Sequence, residues 1–278
     1  MWTTRGLVDN TYTTASDLWI RWLTRQSSIH IILQTNNTLT FFKQLVICCK
    51  VHTMSRVFSS LVCSLLLSTT WALAISNTAV LTLSNVTTYP TARCLDGSPF
   101  AYYIRPGVSD GANKWMVMLE GGGFCSHIKD CTERSFTDLG SSVNYSATMD
   151  LGEISFMTAD EQNPFREWNQ VYVRYCDGSM WMANRTNNDD PETGGLWITG
   201  HNNVAALIAQ LSGEQEIEYG ARKVMLRSIA EPGSTVILSG GSAGGIGAFN
   251  NVDFLARTLP DSFVLGAPVG GFPPELFW

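Results

Sequence analysis

The chain has 278 residues, 45% of them hydrophobic and only 15% charged, with a net charge of −6. That length supports one large α/β domain or two small ones, and the composition suits a folded secreted protein rather than a disordered one. The acidic balance and the lack of any basic run argue against a polyanion-binding surface, so nucleic acid is not an expected partner.

In chain order, residues 1–53 carry no pattern readable as a domain. Met54-Ser55-Arg56 is followed by the uncharged, largely apolar run Val57 to Trp71 and then Ala72-Leu73-Ala74. A short basic start, an apolar centre and an A-x-A end form a secretory signal peptide, here over residues 54–74. Such a peptide belongs at a true N-terminus, so Met54 reads as the initiator and residues 1–53 as a disordered gene-model extension. The competing reading is a signal anchor of about 19 residues from Val57 to Ile75, just long enough to cross a bilayer. Serines and threonines within the run and the A-x-A end favour cleavage. The mature part, residues 75–278, is then extracellular, with no membrane contact unless the signal is retained as an anchor.

Cysteine usage agrees with secretion. Of seven cysteines, Cys48, Cys49 and Cys63 precede the mature part. Cys94, Cys125, Cys131 and Cys176 remain, enough for two disulfides. The close spacing favours pairing Cys125 with Cys131, which leaves Cys94 for Cys176, but four cysteines allow three connectivities and all stay open. No C-x-x-C and no clustered histidines support a metal site. Sequons at Asn85, Asn144 and Asn184 are candidate glycan sites on surface loops.

Within the mature part, Ala79 to Thr88 is β-prone and Ala101 to Arg105 reads as a strand. The continuous apolar run Lys114 to Leu119 reads as a strand buried on both faces. Gln170 to Tyr175 is a further strand, and His201 to Leu211 carries Val204, Leu207, Ile208 and Leu211 at helical spacing. Lys223 to Ile229 reads as a second helix running toward Pro232. Ser234 to Ser239 is a strand, Ile246 to Leu259 a helix, and Ser262 to Gly266 one more parallel strand. Strands alternating with helices predict an α/β fold, a mostly parallel sheet with helices on both faces.

The most informative stretch is Gly240-Gly241-Ser242-Ala243-Gly244. Strand, G-x-S-x-G, helix is the context of a nucleophile elbow, with Ser242 raised on a strained turn and flanked by glycines where side chains would collide. Ala243 supplies a backbone N–H where an acyl oxyanion would form. Gly121-Gly122-Gly123-Phe124 follows a buried strand, where a second part of an oxyanion hole is expected. The N–H groups of Gly123, Phe124 and Ala243 would be its three donors. Glu120 and Asp177 read as loop-bracing residues rather than catalytic ones. Trp181, Trp197 and Trp278 read as packing residues, with a sugar-lining role as the alternative. His30, His52, His127 and His201 all precede Ser242, whereas the order Ser…Asp/Glu…His puts the base after the nucleophile. Asp253 and Asp261 follow Ser242, but no histidine does. His127 reads as structural and His201 as a surface or capping residue.

A series of strings in one order resembles the pectin acetylesterase family, which includes the Notum deacylases. They are Arg93-Cys94-Leu95-Asp96-Gly97-Ser98-Pro99, Leu119-Glu120-Gly121-Gly122-Gly123-Phe124-Cys125, Gly140-Ser141-Ser142, Asn163-Pro164, Trp168-Asn169, Val173-Arg174-Tyr175-Cys176-Asp177-Gly178, Gly241-Ser242-Ala243-Gly244-Gly245 and Asn251-Val252-Asp253. The triple glycine and the Arg-Tyr-Cys-Asp-Gly string look closer to the plant-type pectin acetylesterases. The resemblance spans roughly Arg93 to Phe272. It implies an α/β-hydrolase-like fold and a secreted, cell-wall serine esterase that removes acetyl groups from pectin without metal or cofactor. It implies Ser242 as nucleophile, Gly123, Phe124 and Ala243 as oxyanion donors, and the pairs Cys94–Cys176 and Cys125–Cys131. Two departures stand out: Phe124 occupies a position usually held by tryptophan, and the family's Asp and His lie in a C-terminal portion that this chain lacks. The chain therefore reads as a truncated or mispredicted gene product or a true fragment, a nearly inactive and monomeric esterase. The alternatives are a Notum-like fatty-acyl deacylase and a catalytically dead carbohydrate-binding protein.

Overall fold

A computed structural model describes residues 34–35, 38–39, 75–154, 156–185 and 192–271. The signal peptide, Trp278 and all of the upstream extension but residues 34–35 and 38–39 lie outside these residues. The chain divides into two units, Met1–Ala72 and Leu73–Trp278. In the first, β1 (Gln34–Thr35) and β2 (Thr38–Leu39) form a short antiparallel pair.

In the second unit, β3 (Thr78–Leu83), β4 (Ala101–Arg105), β5 (Lys114–Leu119), β6 (Thr148–Asp150), β7 (Asn169–Val173), β10 (Thr235–Gly241) and β11 (Phe263–Val269) build one sheet, with β8 (Gln215–Tyr219) and β9 (Arg222–Leu226) forming a separate hairpin. The sheet order is β11-β10-β5-β7-β4-β3-β6. Pairing is parallel from β11 through β10 and β5 to β7. It is antiparallel from β7 through β4 and β3 to β6. Among the described residues three α-helices accompany the strands: α1 (Ile128–Arg134), α2 (Gly200–Leu211) and α3 (Ala243–Thr258). The molecule is thus α/β, with the elbow strand β10 in the parallel half. Among the described residues no helix is long and apolar enough to cross a membrane.

Strand alternation sorts the core into two layers. Trp115, Val117 and Leu119 of β5 and Val236 and Leu238 of β10 pack with Val204, Leu207, Ile208 and Leu211 of α2 and with Ala243, Ala248 and Leu255 of α3. On the opposite face Tyr103 and Met118 meet Leu151 and Met157. The sequence predicts helices on both faces. Among the described residues, both long helices instead cover one face, and the segment after β6 covers the other.

One element differs outright. Lys223 to Ile229 is not a helix: β8 (Gln215–Tyr219) and β9 (Arg222–Leu226) form an antiparallel hairpin with Tyr219 opposite Arg222. Gly220 turns the corner at φ +61°, a conformation that costs glycine nothing. Cross-strand pairing overrides the helix preference of the Lys-Val-Met-Leu run.

Two disulfides close the loops above the sheet, Cys94–Cys176 and Cys125–Cys131. Asn85, Asn144 and Asn184 are all exposed.

Candidate active site

The site is built where β5 and β10 end. They are parallel neighbours, and the register sets Gly240 opposite Leu119. The chain therefore leaves the sheet as Glu120-Gly121-Gly122-Gly123 on one strand and as Gly241-Ser242 on the next, side by side at the carboxyl ends. This is where open α/β sheets place their ligands.

Ser242 is exposed and adopts φ +54°, ψ −120°. A non-glycine residue at positive φ costs roughly 1–3 kcal/mol, and the surroundings must hold it. They do so through backbone: Ser242 N–H donates to Val269 O at 3.0 Å, and Ser242 O accepts from Ile246 N–H at 3.0 Å. The glycines permit the fit. A Cβ on Gly244 would lie 2.0 Å from Leu119 O, and one on Gly240 would lie 2.3 Å from Gly244 O. A Cβ on Gly121 would lie 2.4 Å from Gly241 O and 3.3 Å from Ser242 Cβ. The Gly run and the elbow are thus in backbone contact.

Ala243 is buried and opens α3, where the first N–H groups lack intrahelical partners and the helix dipole favours negative charge. The N–H groups of Gly123, Phe124 and Ala243 donate to no acceptor among the described residues. Gly123 has φ +71° and open space around it, and Phe124 is 57% exposed.

Glu120 faces away from this chemistry. Its carboxylate accepts from Tyr175 N–H at 2.8 Å and lies 3.0 Å from Arg174 Nε, a charge contact not aligned as a hydrogen bond. Burial raises its pKa, only partly offset by Arg174 and the Tyr175 N–H. Arg174 in turn lies over Tyr145, 4.4 Å from the ring centroid. Asp177 is wholly buried, and its Oδ2 accepts from Ser179 N–H at 2.8 Å and from Ser179 Oγ. Its Oδ1 has no partner, and burial raises its pKa.

Among the described residues neither His127 nor His201 makes a hydrogen bond to Ser242, and His30 and His52 lie outside the described residues. His127 is exposed at the start of α1, with no capping bond from its side chain. His201 is not a cap. Its Nδ1 lies 2.8 Å from Asn251 Oδ1, and its ring packs edge-on against Phe254, 4.8 Å between centroids. Asn251 is nine residues along α3 from Ser242, roughly 13 Å at 1.5 Å per residue. His201 thus ties α2 to α3. Among the described residues no group of His, Cys, Asp and Glu could hold a metal ion.

Two contacts had no sequence signal. Trp181, fully buried, donates its indole N–H to Glu120 O at 3.1 Å, and a Cβ on Gly247 would lie 2.5 Å from its ring. Asn251 Nδ2 donates to Trp181 O at 3.0 Å. Trp181 therefore links the strand end before the Gly run to α3. Arg134 of α1 donates to Gly122 O at 2.9 Å. Trp197 carries Arg93 over its ring, 5.3 Å from the centroid.

Residues 74–273 match the sequence model of the pectinacetylesterase family. The chain belongs to that family. Among its relatives is the palmitoleoyl-protein carboxylesterase NOTUM of Schmidtea mediterranea, 34% identical over 170 residues, which cover 60% of this chain and 29% of that protein. Pectin acetylesterase 5 of Arabidopsis thaliana is 33% identical over 203 residues, which cover 71% of this chain and 43% of the relative. The crystal structure of the Wnt deacylase Notum from Drosophila superposes with a TM-score of 0.56 at 26% identity, covering 69% of this chain and 52% of that one. The fold is accordingly α/β-hydrolase-like, and the family is one of carboxylic ester hydrolases. The chain spans less than half the length of these two curated relatives.

Proposed function

We propose that this chain carries the nucleophile and the oxyanion hole of a secreted, monomeric esterase that removes acetyl groups from pectin. The observation that carries the reading is Ser242, exposed at φ +54° at the start of α3 and in backbone contact with a Gly run whose N–H groups are free among the described residues. Ser242 Oγ attacks the acetyl carbonyl carbon, and the carbonyl oxygen becomes an oxyanion held by the N–H groups of Gly123, Phe124 and Ala243. A histidine from outside this sequence takes the serine proton and returns it to the departing sugar oxygen. Water then releases acetate and restores Ser242. The engagement of His201 with Asn251 and the order of the histidines support a base from elsewhere. The disulfides support an oxidising compartment, and the exposed Asn85, Asn144 and Asn184 support glycosylation.

Without its base such a site keeps roughly 10³- to 10⁴-fold catalysis over water, from the oxyanion hole and binding alone. The test is hydrolysis of p-nitrophenyl acetate by the 278-residue chain and by the same chain extended with in-frame downstream coding sequence, each beside Ser242→Ala. The expected result is residual turnover from the first and Ser242-dependent turnover from the second. Enzyme-like turnover by the 278-residue chain, abolished by Ser242→Ala, would refute the missing base. Extended-chain turnover that survives Ser242→Ala would refute the nucleophile. No hydrolysis by either form favours the binding-protein reading. The exposed Phe124 beside Gly123 favours a second substrate class, longer acyl chains. Faster cleavage of p-nitrophenyl octanoate than of the acetate would select it.

A further inference from the structure

Arg134 has no part in acyl transfer, yet its side chain closes on the loop beside Ser242. Its Nη2 donates to Gly122 O at 2.9 Å and its Nε to Leu139 O at 3.1 Å. The guanidinium lies over Tyr175, 5.0 Å from the ring centroid. Arg134 is fixed at its other end as well. It closes α1, the helix that holds Cys131, and Cys131 is bonded to Cys125 at the far end of the Gly run. Cys125 N–H donates to Gly178 O at 3.0 Å.

The Gly run lies between two neighbours. Gly121 sits on the elbow, where a Cβ would meet Gly241 O and Ser242 Cβ. At Gly122 a Cβ would meet Leu139 at 2.8 Å and Tyr175 at 3.3 Å, the residues that also contact Arg134. Gly122 has φ +145° and Gly123 φ +71°, and nothing lies within 4 Å of a Cβ on Gly123. Three glycines with this much freedom do not by themselves fix which way a peptide unit faces.

Peptide planarity makes the Arg134 bond decisive. The described peptides are all trans. In a trans unit the C=O of one residue and the N–H of the next point in opposite directions. Tying the Gly122 carbonyl to Arg134 turns the Gly123 N–H away from Arg134. If that unit flipped, it would present a carbonyl oxygen where a donor is needed.

We infer that Arg134 is a positioning residue that locks the Gly122–Gly123 peptide so that the Gly123 N–H faces the acyl oxygen at Ser242. The inference rests on the oxyanion-hole reading of Gly123. Lysine cannot replace it, because an ammonium is a point charge without the planar fork that reaches Gly122 O and Leu139 O together.

The test uses the 278-residue chain labelled with ¹⁵N-glycine, as wild type, Arg134→Met and Arg134→Lys. The backbone ¹⁵N order parameter is read at Gly123, with Gly240 in β10 as an internal reference, beside kcat and KM for the residual hydrolysis of p-nitrophenyl acetate. Arg134→Met should lower the Gly123 order parameter from about 0.85 to below about 0.6 while Gly240 stays at about 0.85. It should lower kcat about 10- to 100-fold at unchanged KM, less than the 100- to 1000-fold typical of deleting a donor outright. Arg134→Lys, which keeps the charge and the fold, should show the same pattern more weakly. An unchanged Gly123 order parameter in both variants, or Gly123 and Gly240 falling together, overturns the inference. Absence of any hydrolysis by wild type would instead refute the oxyanion-hole reading, and the order parameters would still decide whether Arg134 locks the peptide.

Discussion

Gly121→Ala isolates the contact between the Gly run and the elbow. The new methyl would lie 2.4 Å from Gly241 O, where ordinary contact begins near 3.4 Å. Both partners are backbone, so no side chain can swing aside, and the loop must move from the elbow by about 1 Å. A misplacement of that size costs roughly 100-fold in rate, or about 2.7 kcal/mol of transition-state stabilisation. Overpacking costs a further 1–3 kcal/mol of stability, typically. At about 2–4 °C per kcal/mol for a domain of this size, that lowers Tm by roughly 2–12 °C. Gly241→Ala is the control. Nothing lies within 4 Å of its Cβ, and its φ is not positive. Its stability should stay within about 0.5 kcal/mol of wild type or rise slightly. The assay is residual hydrolysis of p-nitrophenyl acetate with thermal melts on the same samples. The reasoning fails if Gly121→Ala keeps kcat within threefold of wild type and melts unchanged, or if Gly241→Ala falls as far.

The two disulfides should contribute unequally, because they close loops of different length. From separations of 82 and 6 residues, chain entropy assigns about 4.5 kcal/mol to Cys94–Cys176 and about 2 kcal/mol to Cys125–Cys131. Urea unfolding of the paired serine variants reads the difference, and equal losses would contradict the loop-length account. Burial raises the pKa of both Glu120 and Asp177, so the fold favours their protonated forms. That contribution is fully present below the ordinary carboxylate range, near about 4, and is lost as pH rises through the raised values. Tm should therefore be higher at pH 5 than at pH 8, and Asp177→Asn should narrow the gap. A gap of unchanged size would remove Asp177 from the account.

Legibility followed the range of the forces involved. The strands β5 and β10 announce themselves as apolar runs, because a strand buried on both faces has no polar side to alternate with. The helix α2 shows in its 3.6-residue spacing. The hairpin strand β9 was misread because Lys223 to Ile229 holds good helix formers, and only its pairing with Gln215 to Tyr219 makes it a strand. The elbow shows in local sequence because its glycines, serine and alanine are consecutive. Arg134 and Trp181 do not, because their partners Gly122 and Glu120 are 12 and 61 residues away. No local rule joins an arginine at the end of a seven-residue helix to one carbonyl in a glycine run.

Register, more than the pentapeptide, makes this a site. In a parallel pair each residue advances about 3.3 Å, so a slip of two residues, which preserves the buried face, would carry the Gly run some 6–7 Å from Ser242. The hydrophobic pattern cannot forbid that slip. The glycines can: Gly240 and Gly244 both lie where a Cβ would strike Leu119 O, and Gly121 where one would strike Gly241 O. These three close backbone contacts form only when Gly240 stands opposite Leu119. A two-residue slip in either direction sets a residue with a side chain, Leu238 or Ser242, opposite Leu119. The glycines therefore encode proximity rather than mobility, and they hold the Gly run against Ser242 before any other side chain is considered.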